Sequence, residues 1–121
     1  AEWQTVSGGD SRSAIAGTVV LGTMKENDEV VRRFREEYER AIEWMLDHPG
    51  EAGELGATVL AEQGFTAEVL TESMQRITWD YVPAEDARND IQDFFTALME
   101  LSPDYIGGKL PDGTFYYGSQ E

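Results

Sequence analysis

The 121-residue sequence predicts an α/β chain that is mostly helical, with one main strand followed by about four helices. Two features carry this expectation. Residues Ile15 to Met24 read IAGTVVLGTM, an apolar, β-branched run without helical period, as a buried strand interrupted by Gly17 and Gly22 would have. From Asn27 onward, apolar residues recur at three- and four-residue steps between cap and breaker signals, the pattern of helices with one core-facing side. The layout that follows is a single domain or fragment with a crossover loop over 1–14, the strand over 15–24, a helical body over 27–102 and an irregular aromatic tail over 103–121.

Each helix has its own start and stop. Asn27 can accept from free first-turn amides, and Asp28 and Glu29 complement the helix dipole, so a long helix is expected from there to about Asp47. Its apolar stripe is Val30, Val31, Phe34, Tyr38, Ala41, Ile42, Met45 and Leu46. The opposite face sets Glu29 before Arg33 and Glu36 before Arg40, the order that favours i,i+4 ion pairs, and reads as solvated surface. Pro49 cannot continue this helix but suits the first turn of the next, which should run to about Gln63 with Ala52, Leu55, Gly56, Val59 and Leu60 inward and Gly64 as a left-handed stop. Gly53 and Gly56 weaken it. Thr66 caps a third helix with Val69, Leu70, Met74 and Ile77 inward, and residues 77–82 read as extended. Pro83 opens a fourth, held by Ala87, Ile91, Phe94, Phe95, Leu98 and Met99 up to Ser102-Pro103. The tail from Tyr105 to Tyr117 mixes turn signals with aromatics and should pack on the body without regular structure.

Composition excludes several classes. Twenty-four acidic residues against nine basic ones give a net charge of -15, which repels phosphate backbones and anionic lipid headgroups, so nucleic acid and membrane surface are poor partners. The only lysines are Lys25 and Lys109, which suits either a protein hydrated in high salt or an ordinary acidic secreted protein from an arginine-preferring genome. Without cysteine there is no disulfide framework, thiolate metal site or cysteine nucleophile. The start, Ala1-Glu2-Trp3-Gln4, has neither a charged region nor an apolar one, so any secretion signal is expected to lie outside the chain.

No catalytic residue, metal site or cofactor is expected. The one histidine, His48, precedes a proline with no serine in a nucleophile-elbow pattern, and reads as a solvent-facing turn residue. Carboxylate pairs such as Glu36-Glu37 and Glu85-Asp86 carry little information in so acidic a chain. Ser7-Gly8-Gly9-Asp10-Ser11 has glycines and hydroxyls but precedes a strand instead of following one, which leaves it a weak phosphate motif and a candidate ligand contact. Gly107-Gly108 reads as a turn. Trp44 and Trp79 read as core, whereas Trp3 lies outside any periodic pattern.

The segment TVVLGTMKENDEVVRRFREEYERAIEWMLDHPGEAGEL resembles a stretch of the substrate-binding proteins of ABC importers, of the nitrate/sulfonate/taurine or thiamine-precursor type. The match lies in the strand, the long helix with Ala41 and Trp44 near its end, the His48-Pro49 corner and the helix after it. The later run ITWDYVPAEDARNDIQDFFTALMELSPDYIGGKL is similar to the family's closing unit. The resemblance implies a two-lobed, periplasmic-binding-protein-like fold that closes on a small molecule and delivers it to ABC permease subunits. It also implies a periplasmic or extracytoplasmic location, with lipid anchoring in the full-length protein. This chain would be the C-terminal portion, retaining only Ser7, Gly8, Gly9, Asp10 and Ser11 near a lobe crossover as ligand contacts. Its strand Ile15 to Met24 would then have unpaired edges, through which it would form a homodimer or aggregate. The alternative is a self-sufficient acidic helical interaction module in which the first helix or the aromatic tail docks a partner. An enzyme on the same fold, such as a thiamine-precursor synthase, would need histidine and cysteine clusters that the sequence lacks.

Overall fold

The computed structural model describes residues 16–118, and the strand expected over Ile15 to Met24 does not form in its described part. A strand persists only as a member of a ladder, where its N–H and C=O groups pair across to a neighbour. No other described segment is a strand, so this apolar run has nothing to pair with. Residues 16–21 are irregular, Val19 is 77% and Leu21 73% exposed, and Met24–Glu26 curls into a single 3-10 turn. The described chain is therefore all-helical and not α/β, and the two-lobed sheet architecture falls with the strand.

The described residues form two units. One is Leu21–Tyr81; the other gathers 16–20 and 82–118. In the first, α1 spans Asp28–Asp47, and the Asn27 side chain accepts from the Val30 amide at 3.3 Å. It ends where the His48 amide donates to the Trp44 carbonyl at 2.9 Å and Pro49 starts α2, Pro49–Val59. α2 stops short of the expected Gln63: the Thr58 hydroxyl bonds back to the Glu54 carbonyl, which loosens a helix end, and a 3-10 turn over Ala61–Gln63 follows. Gly64, at φ 75°, supplies the left-handed stop. α3 spans Ala67–Arg76, with the Thr66 hydroxyl accepting from the Val69 amide.

α2 and α3 make the closest helix contact of this unit. Ala52 and Gly53 are buried, and the Thr71 hydroxyl donates to the Pro49 carbonyl at 3.2 Å. A Cβ at Gly53 would run into Thr71 Oγ1 and lie 2.7 Å from the Ala67 carbonyl oxygen; one at Gly56 would lie 3.0 Å from Leu70 Cδ1. The two glycines that cost helix propensity are thus the ones that let the backbones meet. Because small residues occupy the shared side, Leu55 and Val59, expected inward, are exposed.

Ion pairs on α1 differ in partner from the sequence expectation. Arg32, one turn from each, takes both Glu29 and Glu36, and Arg40 takes Glu37 at 2.7 Å. The hydrogen bond and charge of Arg32 hold the Glu29 carboxyl below the ordinary carboxylate value. These pairs are exposed and orient the helix surface more than they stabilise it.

In the second unit, α4 spans Ala84–Leu101, and Ser102-Pro103 ends it. Within the described part of the tail, single 3-10 turns form over Pro103–Ile106 and Gly113–Phe115, the latter capped by Asp112, whose carboxylate accepts from the Thr114 amide at 2.9 Å. These turns deliver Phe115 edge-on to Phe95 of α4 and bury Tyr116 to 2% exposure. The Arg88 guanidinium lies 5.5 Å from the centre of the Tyr116 ring, a cation–π contact. The buried Tyr116 hydroxyl has no hydrogen-bond partner among the described residues. Burial raises its pKa above the ordinary tyrosine value, while Arg88 pulls it the other way.

Gly53→Ala should lose about 1–3 kcal/mol in urea unfolding because its Cβ has no room, whereas Gly50→Ala, which meets open space, should be neutral or gain up to about 1 kcal/mol; equal effects would contradict the close contact. Tyr116→Phe should leave stability unchanged or raise it, since an unsatisfied buried hydroxyl costs about 1–3 kcal/mol. The pH dependence has a definite sign. With the folded pKa raised, the stability tied to the neutral Tyr116 phenol is complete below the unfolded value of about 10 and is lost as pH rises through the folded one. Ultraviolet titration should find a late-ionising phenol in the wild type that Tyr116→Phe removes.

Candidate functional site

The apolar stripe of α1 is too wide for what covers it. On one flank Val31 is 4% exposed, Ile42 and Met45 are half-buried, and Tyr81 closes over the helix, its hydroxyl accepting from Arg35 Nε at 3.1 Å and its ring edge-on to Tyr38 at 5.9 Å. Turning about the axis, Val30, Phe34, Glu37, Ala41 and Trp44 are all exposed, Phe34 to 51% and Trp44 to 40%. Their alternating steps of four and three put them on one line along the helix.

This line has structure of its own. Phe34 stacks on Tyr38 with ring centres 5.7 Å apart. At the far end Trp44 stacks on His48 at 5.3 Å, and His48 Nδ1 lies 3.0 Å from the Trp44 carbonyl oxygen, where a ring nitrogen can only donate. His48 is thus a turn residue in solvent, and it also holds the indole of Trp44 against the corner. Glu37 is the one polar interruption, paired with Arg40. The result is a seam of apolar and aromatic side chains about 21 Å long from Val30 to Trp44, at 1.5 Å per helical residue, with charges along its rim.

The sequence expectation placed Phe34, Val30 and Trp44 in the core; they lie on the open side instead. Their signal was present as spacing within the stripe, but nothing in a single helix says which edge of a wide stripe is covered. Trp79 is also exposed in part, its Nε1 donating to the Met74 carbonyl at 3.1 Å. Ser7, Gly8, Gly9, Asp10 and Ser11, and Trp3 with them, lie outside the described residues. Among the described residues no group of three or more histidine or carboxylate side chains is placed to hold a metal ion, and no helix is long and apolar enough to cross a membrane. Comparison with protein-family models, with curated proteins and with solved structures finds no match.

A surface seam and a core stripe respond differently to truncation. Phe34→Ala, measured by denaturation at high dilution, should change stability by no more than about 0.5 kcal/mol, whereas Val31→Ala should cost about 1.5–3 kcal/mol. A loss at Phe34 equal to that at Val31 would return the ring to the core.

Proposed function

We propose that this chain is an acidic helical interaction module that uses the exposed seam of α1 to dock an amphipathic helix of a protein partner. The observation carrying this reading is the line of Val30, Phe34, Ala41 and Trp44, exposed beside a flank of the same helix that is covered. Scattered apolar residues on a surface are ordinary; a continuous line spaced at four and three is the spacing that receives helical knobs. Aromatic anchors are the side chains on which binding energy concentrates, and Phe34 and Trp44 are already held, by Tyr38 and His48 respectively, so less rotamer freedom is lost on docking.

The solute-binding reading no longer has the strand on which its architecture depended, and the module reading needs none. A displayed library of amphipathic helical peptides should yield binders to the wild-type chain that are lost with Phe34→Asp or Trp44→Asp. No enrichment, or binders indifferent to both substitutions, would contradict the proposal.

A further inference from the structure

We infer that the helix received by the seam is α1 of a second copy, laid antiparallel. This deepens the docking reading and rests on it. Some charges on α1 are left over once the pairs within it are made. Arg32 is taken by Glu29 and Glu36, Arg40 by Glu37, and Arg35 bonds to Tyr81. Arg33, near the start of the helix, and Asp47, at its end, flank the same side of the seam and have no partner among the described residues. A parallel copy would set Arg33 beside Arg33 and Asp47 beside Asp47. An antiparallel copy does the reverse.

The seam itself selects the register. Pairing Phe34 with the other copy's Trp44 puts Glu37 opposite Ala41 and Val30 opposite His48, each pair occurring twice about one two-fold axis, as an isologous contact requires. Each aromatic then meets an aromatic. Glu37 faces the smallest residue of the line, with room for its carboxylate to turn to the rim, and one polar residue in such a seam fixes alignment at a cost in strength. In this register Arg33 lies within two helical positions of the other copy's Asp47, about 3 Å along the axis, within reach of a guanidinium. The Glu37–Arg40 couples of the two copies meet near the axis as neutralised pairs. A single pair of helices buries less than a standard interface, so the dimer should be concentration-dependent and not obligate.

The test is sedimentation equilibrium from micromolar to millimolar protein at physiological ionic strength, where charges more than roughly 8 Å apart are screened. The wild type should pass from monomer to dimer. Phe34→Asp should remain monomeric with unchanged helical circular dichroism. Arg33→Asp and Asp47→Arg should each weaken the dimer about tenfold, and the two together should restore it to within about threefold. A dimer indifferent to Phe34→Asp, or one not restored by the double exchange, would overturn the inference. So would a monomer throughout. A monomer whose seam still selects helical peptides would sink only the second copy as partner; a monomer that selects none would sink the docking reading with it.

Discussion

The approach of α2 and α3 at Gly53 is the constraint on which the arrangement of the Leu21–Tyr81 unit depends. With Thr71 and the Ala67 carbonyl against its backbone, no side chain fits at this position. The helices therefore meet through small residues, and Thr71 ties back to the Pro49 carbonyl at the corner where α1 ends. Helix propensity is given up at two glycines for contact that larger residues would hold apart. Ala52 and Gly53 are buried by this contact, and α3 applies Leu70 and Met74 to Gly56.

What that contact uses is unavailable to α1. The long helix is covered on the flank of Val31, Ile42 and Met45 and pinned by Tyr81 through Arg35 and Tyr38, while the flank of Phe34 and Trp44 is open. An apolar line left in water on a well-capped helix is costly unless something covers it, and this is the physical basis for reading it as a docking surface. The Val82–Gly118 unit solves its own problem differently, by folding an aromatic tail back onto α4 and burying Tyr116 beside Arg88.

Local signals in the sequence were legible wherever a short-range rule decides. Asn27 and Thr66 cap, Pro49 opens a helix, and Gly64 takes the left-handed conformation, each through atoms within a few residues of one another. Nonlocal questions were not. The run from Ile15 to Met24 has the composition of a strand, but a strand requires a partner, and the described chain offers none. Similarly, the three- and four-residue steps of α1 correctly mark an apolar side without marking which edge of it faces a neighbour. Gly53 and Gly56 looked like weaknesses because their value lies in residues distant in sequence, Thr71 and Leu70 respectively. Of the candidate site, the residues were visible and their exposure was not.

That exposure is open to direct measurement. Nuclear magnetic resonance of the dilute protein with a paramagnetic cosolute broadens the signals of groups that solvent reaches. The Phe34 ring and the Trp44 indole should be bleached strongly, and the Val31 methyls and Tyr116 ring should be spared. Protection of Phe34 and Trp44 equal to that of Val31 at a dilution where the protein is monomeric would contradict an open seam on α1.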